Sequence, residues 1–211
     1  METVVKMENI VKKYEDKLIF DHYSLTINAG EYVVIIGKSG SGKSTLLNMI
    51  GLLDRPNSGK ITLFGQSNIK PFSFKAEALL KNKIGYLFQN FALIDDETVY
   101  ENLLLALDKQ DHKQAQKLIK EALDKVLLSG YEKKLVYKCS GGEQQRIAIA
   151  RLLLKKCDLV LADEPSGSLD HENKLIVAKL LKELNEQGKT VIIVTHDDYF
   201  KQFASKLIEL K

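Results

Sequence analysis

The chain has 211 residues, of which 45% are hydrophobic, so it can bury one sizeable core and is not a disordered protein. Its 31 basic residues are scattered among 28 acidic ones for a net charge of +3, which provides no stripe for nucleic acid. No aliphatic run approaches the ~20 residues that cross a bilayer, and the N-terminus has no export signal, so we expect a cytoplasmic protein without a membrane helix.

The N-terminal part of the chain is predicted to be rich in β-strands. Thr3–Ile10 and Tyr23–Ile27 alternate apolar and polar residues as half-buried strands do, and Lys60–Phe64 is a further short strand. Glu31–Ile36 differs from these, because its β-branched run is typical of a fully buried strand.

A phosphate loop follows that buried strand. Gly37–Ser44 fits the pattern GxxxxGK[ST] at every fixed position, and a helix predicted from Lys43 onward gives the strand, loop and helix order that the motif requires. Backbone N–H groups would surround the phosphates of a nucleotide, Lys43 would neutralise the β and γ oxygens, and the Ser44 hydroxyl would hold Mg²⁺. The predicted nucleotide-binding residues of this segment are Gly37, Ser39, Gly40, Ser41, Gly42, Lys43, Ser44 and Thr45.

The middle of the chain changes from strand to helix. Ile84–Phe88 is predicted to be a strand that ends at Gln89, whose side-chain carbonyl could reach Mg²⁺ or an attacking water. In His112–Leu128 apolar residues recur at helical spacing, which predicts an amphipathic helix with one buried face. That face consists of Ala115, Leu118, Ile119, Ala122, Leu123, Val126 and Leu127.

A second anion site is predicted where Cys139–Arg146 opens a helix with Cys-Ser-Gly-Gly-Glu-Gln-Gln-Arg. The N–H groups of a first helical turn and the helix dipole favour negative charge there. The segment has no lysine of its own, so we interpret it as half of a composite phosphate site that another molecule completes. Cys139 and Cys157 lack metal-binding spacing and are predicted to be reduced structural thiols.

The C-terminal part alternates strands and helices, which predicts a mainly parallel sheet covered on both faces. The predicted elements are the strands Leu159–Ala162, Thr190–Thr195 and Lys206–Leu210 and a helix over about His171–Gln187.

Three titratable side chains follow strand ends in this region. Ligands of open α/β sheets bind outside the carboxyl ends of the strands, so Asp163 is predicted to hold Mg²⁺ and Glu164 to orient and deprotonate an attacking water. His196 follows the next strand and could donate a hydrogen bond to a γ-phosphate, although a lone histidine after a strand is more often a surface residue.

The order and spacing of these segments resemble those of the ATP-binding cassette (ABC) ATPases over essentially the whole chain. The matching segments are Gly37–Ser44, Gln89, Ser140–Glu143, Asp163–Glu164, Ser168–Asp170 and His196. The resemblance implies one α/β domain over residues 1–211, with a phosphate-loop NTPase core and a mainly parallel sheet over about 1–89 and 158–211. It also implies an N-terminal antiparallel β subdomain and an inserted α-helical subdomain over about 90–157.

The resemblance also implies a role for each of these residues. Gln89 would sense the nucleotide and begin the contact with a membrane partner, Asp170 would lie in a loop that crosses a dimer, and His196 would be the switch histidine. The family signature, Ser140, Gly141, Gly142 and Glu143, would cover ATP bound by a second copy. Tyr14 matches the aromatic residue on which adenine stacks, although a core or edge tyrosine fits the sequence as well.

On the same resemblance we expect a head-to-tail homodimer that binds ATP and Mg²⁺ and drives export through a separate integral membrane permease. It would lie on the inner face of the membrane and contact the membrane only through that permease. The signature departs from the usual pattern at Cys139, where leucine is common, and at Glu143, where glutamine is common.

The Glu-Gln-Gln-Arg sequence resembles the branch that serves lipoprotein release, macrolide or antimicrobial-peptide export and cell division. Phe91–Asn102 resembles cassettes of bacteriocin exporters in Gram-positive bacteria. One alternative stays open, in which the same ATPase drives a mechanical complex that controls cell-wall enzymes.

Overall fold

The computed structural model describes residues 2–167 and 170–210. Its strands are β1 (Thr3–Tyr14), β2 (Lys17–Asn28), β3 (Tyr32–Gly37), β4 (Ser58–Leu63), β5 (Gln66–Ser67), β6 (Ile84–Leu87), β7 (Leu159–Asp163), β8 (Thr190–Val194) and β9 (Lys206–Leu210). Its α-helices are α1 (Lys43–Ile50), α2 (Phe74–Asn82), α3 (Val99–Leu104), α4 (Ala115–Lys125), α5 (Gly141–Leu154) and α6 (His171–Glu186). Short 3₁₀ helices cover Lys109–Gln114, Val136–Lys138 and Asp198–Phe203.

The strands form two sheets. An antiparallel sheet has the order β2-β1-β4-β5, and a parallel sheet has the order β6-β7-β8-β3-β9. This arrangement confirms the predicted fold class, with a strand-rich N-terminal region beside a mainly parallel sheet. The predictions from sequence did not include β5 or α2, and they made β1 and β2 shorter than the 12 residues each strand has.

The parallel sheet is covered on both faces because its buried strands alternate between two hydrophobic clusters. In β3, Tyr32 and Val34 pack into one cluster with residues of α3, α4, α5 and α6. Val33 and Ile35 pack into the other with α1, α2 and the antiparallel sheet. Successive side chains of a strand point to opposite faces, so a strand that is apolar throughout is stable only between two layers.

The helix predicted over His112–Leu128 is shorter in the structure. Residues up to Gln114 form a 3₁₀ helix, and α4 ends at Lys125. Leu127 then has a left-handed φ of 59°, its N–H donates to Asp124, and the N–H of Leu128 donates to Leu123, which is a Schellman ending. The chain reverses there, so Leu127 is 67% exposed and its predicted place in the core is wrong.

Two distant segments of the helical region are joined by their backbones. The N–H groups of Val99 and Tyr100 donate to the carbonyls of Lys134 and Glu132, both at 2.9 Å. In return the N–H groups of Val136 and Tyr137 donate to the carbonyls of Glu97 and Asp95, at 3.1 and 3.2 Å. We call residues 95–100 and 132–137 the paired segments.

Within the described ranges, no helix combines the length and the apolar character that crossing a bilayer requires. The same residues contain no cluster of three or more histidine, cysteine or acidic side chains arranged to hold a metal ion.

Candidate active site

The parallel strands bring several of the predicted site residues, among them Gln89, Glu164 and His196, to one edge of the sheet. A cavity of about 660 Å³ lies at that edge. It is lined by Tyr14, Lys17, Ile19, Ser39, Gly40, Gly42, Lys43, Ser44, Thr45, Gln89, Phe91, Gln145, Glu164, Gly167 and His196. The cavity therefore brings together side chains that are up to 182 positions apart in the chain, Tyr14 and His196. Such convergence of polar groups in a concave site is typical of ligand binding.

The phosphate loop is folded tightly between β3 and α1. Gly40 and Gly42 have left-handed φ values of 79° and 95°, and a Cβ atom on Gly42 would lie 2.5 Å from Ile19 Cγ2. Lys43 Nζ donates to the carbonyls of Gly37 at 2.8 Å and Lys38 at 3.2 Å. These bonds hold the buried ammonium inside the loop, where the backbone N–H groups and the α1 dipole also favour an anion.

The groups proposed to hold Mg²⁺ fit that ion. Ser44 Oγ donates to Asp163 Oδ1 at 3.1 Å, and the Gln89 side chain lines the same cavity. Burial raises the pKa of Asp163, and the Ser44 hydrogen bond only partly offsets this effect. A hydroxyl, a carboxylate and an amide carbonyl are hard oxygen donors of the kind that Mg²⁺ takes together with phosphate oxygens and water.

Glu164 and His196 form a pair at the cavity wall. Glu164 Oε2 accepts hydrogen bonds from the His196 backbone N–H at 3.2 Å and lies 2.9 Å from His196 Nδ1. The Glu164 side chain is 14% exposed, whereas that of His196 is 69% exposed. Glu164 also has a left-handed φ of 45°, which is costly for a residue with a side chain and is found often at functional sites.

Tyr14 is at the end of β1 and is 46% exposed on the cavity wall. The alternative of a core tyrosine is therefore wrong. Stacking of its ring on a base stays a prediction, and the position of Tyr14 on the wall of a polar cavity is compatible with it.

The signature segment caps α5 in the way that a capping box requires. Ser140 Oγ accepts from the Glu143 N–H at 3.3 Å, and Glu143 Oε2 accepts from the Ser140 N–H at 2.7 Å. Within the described part of the chain, the residues that line the cavity include none of Ser140–Glu143. Cys139 is buried in the helical cluster and is a free thiol, as is Cys157, which agrees with their prediction as structural cysteines.

Cys139–Arg146 contains no lysine, but a lysine from outside the segment, Lys134, lies beside it in space. Lys134 Nζ lies 3.0 Å from Glu143 Oε2, and the Tyr131 hydroxyl donates to Glu143 Oε1 at 2.6 Å. Burial raises the pKa of Glu143, but the hydrogen bonds from Tyr131, Ser140 and Lys134 outweigh it and lower the pKa to about 2. The lysine charge is thus used within the chain, and a contact of the Glu143 carboxylate with nucleotide stays a prediction.

Replacing Glu143 by Gln is expected to lower the free energy of unfolding by about 2 kcal/mol at pH 7. The folded pKa of about 2 lies below the ordinary 4.5, so the carboxylate stabilises the fold fully above pH 4.5 and loses this effect as the pH falls toward 2. Urea unfolding of both proteins between pH 7 and pH 3 would measure the difference. Equal stabilities at pH 7 would contradict the assignment.

Asp170 is the exposed N-cap of α6. Its Oδ1 accepts from the Asn173 N–H at 2.8 Å, and both of its oxygens accept from the Asn173 amide. Arg146 of α5 donates to the same asparagine. The hydrogen bonds from Asn173 lower the pKa of Asp170. Ser168 and Leu169, which the sequence places in the same loop, lie outside the described residues.

Several residues of the cavity had not been predicted from sequence. They are Lys17, Ile19, Phe91, Gln145 and Gly167. Lys17 and Ile19 belong to β2 of the antiparallel sheet, and Ile19 lies against Gly42 of the phosphate loop. No local motif marks either residue, so they could not be predicted from sequence. Phe91 and Gln145 each lie two positions after a predicted site residue, Gln89 and Glu143. This closeness in the sequence is the one feature from which they could have been predicted.

Comparison with known proteins gives the same picture over most of the chain. The family model described as "ABC transporter" matches residues 20–167. An uncharacterized ABC transporter ATP-binding protein of Methanocaldococcus jannaschii, MJ1508, is 40% identical over 215 residues, covering 99% of this chain and 96% of the relative. The macrolide export ATP-binding/permease protein MacB of Bartonella quintana is 37% identical over 215 residues, and the match covers 98% of this chain but 32% of MacB.

Solved structures agree in fold. A dimeric structure of MJ0796, a bacterial ABC transporter cassette, superposes with a TM-score of 0.88 at 36% identity, covering 98% of this chain and 94% of that one. A dimeric post-hydrolysis state of the same cassette, bound to ADP and Pi, gives a TM-score of 0.86 at 36% identity, again over 98% of this chain and 94% of that one.

Proposed function

Because the chain belongs to the ABC transporter family of ATP-binding proteins, we propose that its cavity holds ATP with Mg²⁺ and hydrolyses it through Glu164. The protein is an ATP-binding and ATP-hydrolysing subunit of an ABC transporter. The residue roles rest on one observation above all. The Glu164 carboxylate lies 2.9 Å from His196 Nδ1, and both residues line the cavity beside the phosphate loop.

The phosphate loop binds the triphosphate in this proposal. Its N–H groups surround the β and γ phosphates, and Lys43 exchanges its bonds to the carbonyls of Gly37 and Lys38 for bonds to phosphate oxygens. Tyr14 stacks on the base at the other end of the cavity. Ser44, Asp163 and Gln89 would hold Mg²⁺, which when bound would neutralise negative charge of the triphosphate.

Hydrolysis needs a water in line with the bond between the γ phosphorus and its bridging oxygen. Glu164 accepts a proton from that water as its oxygen attacks the γ phosphorus, and the bridging bond breaks to leave ADP and phosphate. His196 donates a hydrogen bond to the γ-phosphate while its backbone N–H keeps Glu164 in place. The Glu164 carboxylate is mostly buried, so little bulk water competes for it.

A second copy of the chain completes the site. Ser140–Glu143 lie at a helix N-terminus that the described cavity of the same chain does not include. The capping box uses the N–H groups of Ser140 and Glu143, so the N–H groups of Gly141 and Gly142 between them are the ones proposed to bind an anion of another molecule. We propose a head-to-tail homodimer in which this signature covers the ATP bound by the partner, and in which Asp170 and its loop cross the interface.

Mixed dimers test this arrangement. Neither Ser140→Arg nor Lys43→Ala protein should hydrolyse ATP alone, but a mixture should regain up to half of the wild-type rate per mixed dimer, because one of its two sites is intact. ATPase rates at several mixing ratios, with dimer formation measured by native mass spectrometry, provide the readout. Mixed dimers that form and stay inactive would contradict a shared site.

The partner we propose in the membrane is a separate permease through which a substrate is exported. The name MacB joins ATP-binding and permease functions in one chain, and this chain matches about one third of it. The division into a core over about 1–89 and 158–211 and a helical subdomain over about 90–157 would let residues near Gln89 transmit movement to that permease. Copurification from membranes and mass spectrometry would identify the partner and would separate export from control of cell-wall enzymes.

A further inference from the structure

Tyr14 is held in place by two side chains that line no part of the cavity among the described residues. Its hydroxyl donates to Asp54 Oδ2 at 2.5 Å. Lys12 Nζ lies 4.3 Å from the centre of the Tyr14 ring and donates to Asp54 Oδ1 at 2.8 Å and to the carbonyl of Arg55 at 2.9 Å. The ring is therefore fixed at its edge by a carboxylate and on one face by an ammonium group.

Lys12 approaches that face from the same strand. Lys12 and Tyr14 are two positions apart on β1, and an irregularity in the pairing of β1 with β2 falls between Lys12 and Lys13. The Lys12 ammonium nevertheless lies over the Tyr14 ring, so both side chains are on the same side of the strand. The other face of the ring is the one that can border the cavity, because Tyr14 lines the cavity and Lys12 does not. A planar ring with one face occupied by a cation and the other open to a ligand is a stacking platform.

The Lys12 ammonium is buried, and its contacts with Asp54, Arg55 and the Tyr14 ring account for that burial. Its side chain is 7% exposed, and a buried ammonium is stable only when it is paired and hydrogen-bonded. Burial raises the pKa of Asp54, but hydrogen bonds from Lys12, Tyr14 and the Arg55 N–H outweigh it, so the pKa of this carboxyl group is lowered. The buried pair thus places a fixed cation against the Tyr14 ring.

Asp54 also connects the ring to the phosphate loop. The N–H groups of Leu53 and Asp54 donate to the carbonyl of Asn48 in α1, at 2.9 and 3.2 Å. Helix α1 begins at Lys43, the phosphate-binding lysine. The Tyr14 platform and the phosphate loop are thus fixed to opposite ends of one short helix, and these bonds connect the two ends of the cavity through the backbone.

We propose that Lys12 and Asp54 are positioning residues that hold Tyr14 as a preformed platform for the nucleobase. The proposal rests on the base-stacking role given to Tyr14 above. Neither residue touches the nucleotide, and both act by removing the cost of ordering the ring when the base arrives. The ligand class is a nucleoside triphosphate with a base large enough to cover the ring, so purines should profit more than pyrimidines.

Tyr14→Phe is the most direct test, because it keeps the stacking ring and removes only the hydroxyl bond to Asp54. At this exposed site it should not disturb the fold. We expect it, Asp54→Ala and Lys12→Met each to weaken ATP binding about threefold to tenfold and to raise the KM for ATP with kcat unchanged. Lys12→Arg should restore near wild-type affinity, since it keeps a cation over the ring.

Inorganic tripolyphosphate is the control ligand, because it has phosphates and no base. The affinity for tripolyphosphate should be the same in all variants. Lys13→Met changes the exposed neighbour of Lys12 on β1 and should alter the affinity for neither ATP nor tripolyphosphate. Tyr14→Phe protein that binds ATP as tightly as wild type would overturn the inference, as would variants that lose ATP and tripolyphosphate affinity equally. Unchanged ATP affinity in Tyr14→Ala would instead refute the stacking role in the proposed function.

Discussion

Replacing Glu164 by Gln is expected to reduce ATP turnover about 100-fold or more, while ATP binding stays within about threefold of wild type. Glutamine has nearly the same shape and can still accept a hydrogen bond from the His196 N–H, which Glu164 accepts at 3.2 Å. It cannot take a proton from water. A loss of turnover in this variant therefore reports on the chemical step and not on a change in the structure of the site.

The measurement combines steady-state phosphate release with nucleotide titration and size-exclusion chromatography in ATP. The variant should accumulate as an ATP-bound dimer, because ATP that is not hydrolysed keeps the two copies together. Glu172→Gln is a matched control, since Glu172 is an exposed carboxylate in the first turn of α6. A Glu164→Gln protein with the wild-type rate would exclude Glu164 as the base.

The second large effect is expected at the phosphate loop. Lys43→Ala should weaken ATP binding about 100-fold or more, because charge-assisted bonds to two phosphates contribute on the order of 3 kcal/mol together. Lys43 is buried in the loop and bonds to the carbonyls of Gly37 and Lys38, so its removal also leaves those carbonyls without that donor.

Two further variants separate these effects. Lys43→Met keeps most of the side-chain volume, so a loss of affinity shared by Lys43→Met and Lys43→Ala reports the charge. Lys38→Ala removes an exposed lysine of the same loop and should change ATP affinity little. Calorimetric titration with ATP gives the affinities, and thermal unfolding without nucleotide checks the fold. Unaltered affinity in Lys43→Met would refute the role of the ammonium group.

The sequence predicted well those features that depend on local order or on strand ends. Gly37–Ser44 is a continuous motif, so its loop needs no distant contact to be recognised. Asp163 and His196 could be placed together because parallel strands bring their carboxyl ends to one edge. The same logic predicted a sheet buried on both faces.

The features that the sequence did not reveal depend on contacts between distant residues or on backbone reversals. Tyr14 and Asp54 are separated by 40 positions, and nothing near either residue indicates their hydrogen bond. The lysine that neutralises Glu143 is Lys134, in a loop with no motif. Leu127 fits the helical period, yet its left-handed backbone turns the side chain out to solvent.

The paired segments, residues 95–100 and 132–137, restrict how far the two ends of the helical region can move relative to each other. Four backbone hydrogen bonds join them, at 2.9 to 3.2 Å. The first segment starts six positions after Gln89, and the second ends three positions before Ser140. A displacement of the chain beside Gln89 that leaves these bonds intact would carry both segments with it. We therefore expect the paired segments to move together, so that a displacement beside Gln89 is passed on to the N-terminus of α5.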